Sequence, residues 1–356
     1  MSGRKQHYIP QFLLRGFSEP GRGKKPQVRV IGRERSFIAP TDGVAAQREF
    51  YSELGEGDGS LDDLITEAET EYADIHRRLL STPECEQPSS TEIARLLSHL
   101  TVRGGHIRDT VTQFGKFAVD RAVDLISDQD HMRARLGMDL SEPNSELRGH
   151  LDEAYNKNKS AASKAGMSRH EFRRKAFREL KTRWDEVFTN SIPEMRMLAS
   201  LLNVSQLAME GHKKSLIQSL EPTEAVRKLE DLEWVIHDWG CPTLVLPDCV
   251  AIGHSVEAGA LPLFFAASDK FEGVLFPVSA YRAVCAGAYA DEEVLRTLGS
   301  NFDVFAAGCS WNFVVAPPSF EIDQAISAGI GLSVAAFLSK IMEDAIAEIL
   351  AEAITG

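Results

Sequence analysis

The chain has 356 residues, a net charge of −13, 43% hydrophobic residues and 26% charged ones, which is globular composition for one large domain or two ordinary ones and excludes wholesale disorder. The acidic balance argues against a dedicated nucleic-acid coat but leaves room for a local basic patch. Five cysteines (Cys85, Cys241, Cys249, Cys285, Cys309) include no Cys-x-x-Cys pair, so buried reduced thiols are expected and a structural zinc site lacks its close ligand pairs.

Residues 7–17 read as a short helix, with Pro10 in its first turn and Gly16 at its exit. Gly21 to Pro26 is a turn, Val28 to Ile31 a strand, and Ser36 to Ile38 its partner. Gly55 to Gly59 is a Gly/acid loop. Leu61, Ile65, Ala68, Tyr72, Ile75 and Leu79 then recur at three and four, which predicts a helix from Ser60. After a loop at 83–90, Ser90 or Thr91 caps a long helix from Glu92 to about Ser127, bent at Gly104-Gly105. Residues 128–168 are polar and poorly periodic, a loop with short helical pieces. Ser168 to Phe188 and Ile192 to Leu202 are helices. From Leu232 short apolar runs cut by Pro and Gly predict strands at 232–236, 243–246, 250–252, 261–265 and 273–279. Asp291 to Ala307 is helical, Trp311 to Val315 a strand, and Phe320 to Ala353 a long terminal helix.

This order predicts an α+β fold, mostly helical, with one small antiparallel or mixed sheet formed mainly by residues 232–316. A single domain over 1–356 is expected: a motif and strand region at 7–59, a helical region at 60–230, and a sheet with C-terminal helices at 231–356. The opening residues lack the apolar core of a signal peptide. The longest apolar stretch, Ala325 to Leu338, is shorter than the ~20 residues of a membrane span. A cytoplasmic protein without a membrane role is therefore expected.

Within the opening run His7-Tyr8-Ile9-Pro10-Gln11-Phe12-Leu13-Leu14-Arg15-Gly16-Phe17, Gln11 and Arg15 share a helix face. His7 suits acid/base work or metal ligation, Arg15 an anion clamp, and Gln11 an orienting amide. The same groups equally suit an anchoring segment that satisfies buried backbone. Asp62 and Glu69, seven apart on one helix, could hold a divalent cation or act as acid and base, or form a solvated or ion-paired face. Arg95, His99, Arg103, His106 and Thr110 form one polar stripe, fit for a phosphate or carboxylate and equally for a salt-bridge seam against the Asp62/Glu69 face. Asp248 ends a strand, a position for a site residue or a turn residue alike. Residues 157–183 carry ten Lys/Arg against Glu171 and Glu179, a surface for a nucleic acid or an acidic partner, or simply a solvated face. No Walker-type loop, Gly-x-Ser-x-Gly or His-Glu-x-x-His occurs, and Gly329-Ile330-Gly331 reads as close helix packing.

The opening run resembles the start of the family catalogued as domain of unknown function 4238, His-Tyr-Val/Ile-Pro-Gln-Phe-Tyr-Leu-Arg-x-Phe. The resemblance continues through Arg48-Glu49-Phe50-Tyr51, the helix of Asp62 and Glu69, Arg103, the strand 243–252 ending at Asp248, Phe276-Pro277-Val278-Ser279 and Asn301. Cys249 and Val250 replace the family's Asn and Pro after that Asp. The resemblance leaves out roughly 130–225. It implies membership and a soluble bacterial-type origin, and it supplies no reaction.

Three functional readings follow. The favoured one is an enzyme on a phosphate-containing substrate, nuclease- or phosphoesterase-like and metal-assisted. In it His7, Gln11, Arg15 and Asp248 are catalytic, Arg103 and His106 bind substrate, and Asp62 and Glu69 hold a divalent metal. The alternative is a non-catalytic binding protein of a defence or mobile-element system, with a structural polar motif and an acidic or nucleic-acid partner on 157–183. A purely architectural motif is the third, and it expects Arg15→Ala to cost several kcal/mol, as when a buried pair is broken.

Overall fold

The computed structural model describes residues 5–21, 25–51, 60–84, 86–266, 271–299 and 301–355. The turn at 21–26 is therefore described only in part, and the 55–59 loop and Cys85 lie outside the described residues. Two compact units form, one from Met1–Val111 and Ala208–Asp344, the other from Thr112–Leu207 and Ala345–Gly356.

The first unit is α+β, with its strands in three antiparallel sheets rather than the single one expected. Lys5–His7 pairs with Ala46–Arg48. A five-stranded sheet runs Trp234–Asp238, Arg282–Gly287, Phe271–Ser279, Ile252–Ser255, Gly259–Pro262. The other runs Glu19–Pro20, Pro26–Gly32, Phe313–Ala316, Leu246–Pro247, with Ser36–Pro40 also paired to Pro26–Gly32. The early strand Pro26–Gly32 pairs with the late one, Val30 lying opposite Val315. Arg282–Gly287 escapes sequence reading because its small apolar residues are buried on both faces and show no period-two alternation.

Helix Leu61–Ser81 packs on the Phe271–Ser279 strand and on helix Ser90–Val102, which lies against Thr223–Glu230. Ser60 and Ser89 cap these two helices, each accepting an N–H from three residues on. The apolar face predicted for the first is buried at Leu61, Ile65, Tyr72, Ile75 and Leu79. His76 donates to the Val278 carbonyl (2.9 Å), and Arg282 donates to the carbonyls of Leu79, Leu80 and Thr82, satisfying acceptors the helix end leaves open. The expected 92–127 helix is two helices, Ser90–Val102 and Gly105–Ser127, broken at Arg103-Gly104.

The terminal helix is also two, Gln324–Gly329 and Leu332–Thr355. Gly331 sits between them at φ +75°, where a side chain would be strained, so it breaks the helix, and a Cβ there would also lie 3.4 Å from the Ser310 carbonyl oxygen. Across this break, Gln324–Ala345 is long and apolar enough, by length and composition, to cross a membrane, and a third of it is buried. Ile326 and Ile330 lie in the main core. Among the described cysteines, Cys249, Cys285 and Cys309 are buried free thiols and Cys241 is exposed.

The second unit is helical, and its region 128–168 is far more ordered than its composition suggests. Gln129–Arg135, Ser145–Lys157 and Lys159–Lys164 are helices, and Asp128 and Asn144 cap the first two. Arg169–Thr182 and Trp184–Ser200 follow, the break falling at Arg183 and Pro193 lying inside the second. Met138, Leu147, Phe177, Trp184 and Phe188 form a small core.

Gly16 ends the motif helix in ordinary helical conformation, so its role is close approach. A Cβ there would run into the Val278 carbonyl and lie 3.2 Å from Ser279 Cα, both backbone that cannot swing away. Gly16→Ala is expected to lower stability by about 1–3 kcal/mol, the usual cost of overpacking, measured by urea denaturation.

Candidate functional site: a buried arginine network

The opening motif is a strand, a turn and one helical turn. His7 ends Lys5–His7 opposite Ala46, and Pro10 precedes the helix Gln11–Arg15. Ile9, Leu13, Leu14 and Phe17 are fully buried. His7 and Gln11 are half-buried and Arg15 is exposed, so one short segment has an anchoring face and a polar face. Gln11 Nε2 donates to His7 Nε2 (3.2 Å), and Arg15 Nη2 donates to Gln11 Oε1 (3.3 Å). Accepting that bond requires a proton-free Nε2 on His7. Burial lowers the His7 pKa, against the opposing field of nearby Glu69.

Behind this face lies Arg103, only 1% exposed. It is the first residue past the Ser90–Val102 helix, so its side chain leaves the helix end and reaches inward. Nη1 pairs with Glu69 Oε1 (2.5 Å) and bonds His99 Nε2 (3.2 Å), Nε donates to Tyr51 Oη (3.1 Å), and Nη2 donates to the His7 carbonyl. Tyr51 Oη in turn donates to the Arg103 carbonyl (3.2 Å). All three guanidinium nitrogens are thus engaged by protein, as a buried cation requires. The same seam continues outward. Arg95 bridges Glu71 (2.6 Å) and Glu221 (2.8 Å), Tyr72 donates to Glu221, and His99 lies against the Tyr72 ring at 4.6 Å.

A second polar group gathers around Tyr8. Its ring meets Phe50 at 5.3 Å, and its hydroxyl pKa is pushed up by burial and by Asp248 and Asp109. Asp248 is 3% exposed and accepts the backbone N–H groups of Trp311 (2.7 Å), Asn312 (2.6 Å) and Phe313 (3.3 Å). Burial raises its pKa to about 6 although those three bonds pull it down. Asn312 also donates to Asp109 (2.9 Å). Arg108 stacks on Phe50 at 3.6 Å and donates to His212 Nδ1 (2.8 Å), while His212 donates to the Val102 carbonyl (2.7 Å).

The structure therefore brings His7, Gln11, Arg15, Glu69 and Arg103 together, with the backbone of His7 at the centre. Three expected roles change. Arg103 is 1% exposed with four bonds to protein, so it presents no open fork to a substrate. Asp248 holds a turn, its two oxygens occupied by backbone. His106 lies on the next helix, 2% exposed, with neither ring nitrogen hydrogen-bonded and with the Phe265 ring at 6.5 Å, so it is a packed neutral ring out of reach of a ligand. Burial lowers its pKa to about 3, with His212 adding to the shift. The metal assignment changes too. The Glu69 carboxylate faces a guanidinium, Asp62 sits two turns away in the first turn of the Leu61–Ser81 helix, and no group of three or more His, Cys, Asp or Glu side chains assembles among the described residues. Sequence reasoning missed Tyr51, Tyr72, Asp109 and Glu221 as network members. Only Tyr51 carried any signal, as the end of the Arg48–Tyr51 run.

A family model described as protein of unknown function (DUF4238) matches residues 5–290, including the 130–225 stretch that the sequence resemblance leaves out. No curated protein and no solved structure matches the chain.

Arg103→Ala removes the cation that pairs with Glu69 and takes one donor each from the Tyr51 hydroxyl and the His7 carbonyl. The expected loss is roughly 3 kcal/mol of unfolding free energy, read by denaturant titration. Arg15→Ala removes one exposed bond and should change stability by less than about 0.5 kcal/mol, which moves the architectural role from Arg15 to Arg103. For His106, a folded pKa below the unfolded 6.5 means its contribution is complete above pH 6.5 and is lost as pH falls toward about 3. His212 acts in the same sense, down to about 4. Asp248 acts oppositely, its contribution fullest below about 3.8 and lost as pH rises through about 6. Stability curves of wild type and His106→Leu should therefore diverge between pH 6.5 and 4, wild type losing on the order of 3 kcal/mol more.

Proposed function

We propose that this chain, which belongs to the DUF4238 family, is a non-catalytic binding protein whose N-terminal polar motif is structural. One observation carries the reading: the guanidinium, the carboxylate and the imidazole Nε2 that hydrolytic chemistry would need are already engaged by protein. The Arg103 guanidinium is bonded at all three nitrogens, Asp248 accepts three backbone N–H groups, and the His7 Nε2 lone pair is held by Gln11. A general base needs a lone pair within reach of a substrate proton, and an anion clamp needs donors aimed at solvent. Only Arg15 meets the second requirement. The cytoplasmic setting belongs to the same proposal, supported by the free thiols of Cys241, Cys249, Cys285 and Cys309.

A hydrolytic reading draws on one feature, the half-exposed rim where His7, Gln11 and Glu69 meet the exposed Arg15. The two readings separate in a turnover assay. Wild type, His7→Ala and Glu69→Gln are incubated with Mg²⁺ or Mn²⁺ and with labelled DNA, RNA and a phosphomonoester. The expected result is no turnover above background in any of the three. Metal-dependent turnover by wild type that His7→Ala abolishes, with an unchanged melting temperature, would overturn the binding reading.

A further inference from the structure

We propose that the helical unit carries a phosphate-binding site in the cavity walled by the Arg169–Thr182 helix. The cavity holds about 360 Å³, and its wall includes Arg173, Arg174, Arg178 and Lys181 against one carboxylate, Glu142. Positions 170, 173, 174, 177, 178 and 181 recur at three and four along that helix, so one face supplies these cations. A capping box of Ser168 and Glu171 fixes the start of the helix, and Phe177, 4% exposed in the small core, anchors the middle. The cationic face is thereby held at the wall by a rigid element.

The four cations are not equivalent. Arg173 is pinned by Asp152 (3.1 and 3.3 Å), and Lys181 donates to the Leu140 carbonyl (2.8 Å) while lying over the Phe177 ring. Arg174 and Arg178 are exposed, and their guanidiniums make no hydrogen bond or ion pair among the described residues. The field of Arg174 reaches Glu171 at the start of the helix, but neither guanidinium is tied up in an ion pair among the described residues. Their planar forks match phosphate oxygens two at a time, and Ser141 at the rim adds a hydroxyl donor. A phosphate group, whether of a nucleic-acid backbone or of a small phosphorylated molecule, is the ligand this set fits best. The site rests on the binding reading above, but its test does not involve turnover, so each can fail alone.

Full-length protein is titrated by calorimetry with inorganic phosphate, pyrophosphate, a 12-nucleotide oligouridylate and polyglutamate, and oligouridylate binding is repeated across a salt series. Arg174→Ala/Arg178→Ala is the test variant. Arg196→Ala, an exposed cation outside the cavity, is the control. The double variant should keep the wild-type melting temperature and lose at least tenfold in affinity for the phosphate ligand, and Arg196→Ala should match wild type. If oligouridylate binds, the slope of log K against log salt should also fall by about two in the double variant. Binding of pyrophosphate or phosphate identifies a small-molecule source, and binding of oligouridylate alone identifies a nucleic-acid backbone. Polyglutamate binding as tightly as the phosphate ligands, affinity unchanged in the double variant, or no binding by any phosphate probe would each overturn the site. Should the double variant unfold, Arg178→Glu alone serves in its place with the same expected loss.

Discussion

The N-terminal half of the first unit depends on one buried guanidinium. Arg103 emerges where the Ser90–Val102 helix ends, meets Glu69 from the Leu61–Ser81 helix, and bonds the carbonyl of His7 where the first strand ends. Tyr51 links strand and helix a second time, donating to Arg103's own carbonyl while accepting from its Nε. A buried cation must find acceptors in fixed places, because desolvating it without them costs several kcal/mol. That requirement sets where the strand, the two helices and the Tyr51 segment meet. Nonpolar packing alone tolerates sliding by a fraction of a residue, whereas four directed bonds to one planar group do not.

This explains why the opening motif mixes polar and apolar residues so tightly. Pro10 divides it. Before the proline the backbone is extended, and the His7 carbonyl is available to Arg103. After it a single helical turn buries Leu13 and Leu14 and turns Gln11 and Arg15 the other way. A chain terminus ordinarily frays. Here the strand pairing with Ala46–Arg48, four fully buried apolar residues and the Arg103 bond together hold it. Gly16 completes the arrangement by letting its own carbonyl accept from Ala280 N (3.1 Å) while the chain runs against Val278.

Much of this was legible in the residues and some was not, for reasons that differ by residue. The period of Leu61, Ile65, Tyr72, Ile75 and Leu79 shows directly which helix face is buried, because amphipathic spacing is a local property. The Arg95–His99–Arg103 stripe is likewise local, and its pairing with an acidic face follows from charge alone. The pattern could not show that the next helix begins at Gly105, which carries His106 out of the stripe. Nor could it show Glu221 closing on Arg95 from 126 residues away, or Asp248 folding onto the backbone of residues 311–313. Such contacts depend on topology, which no window of sequence contains. The three-sheet arrangement escaped for the same reason: short strands reveal that they pair, but not with which partner.

Two arginine pairs, one in each unit, are placed in opposite ways, and the contrast bears on what each can do. In the first, Arg103 and Arg108 point inward. They are bonded to carbonyls, a phenol and imidazoles, and serve as geometric ties. In the second, Arg174 and Arg178 stand at a cavity wall with their donors open to solvent. A guanidinium saturated by protein acceptors is worth much to the fold and nothing to a ligand, since binding would first have to break bonds already made. An unsaturated one contributes little to the fold, because its hydration is already good, and can exchange water for phosphate oxygens at small cost. Apolar flanking ranks the Arg103 stripe above the 157–183 segment as a site, although the segment carries far more cations. Saturation reverses that order.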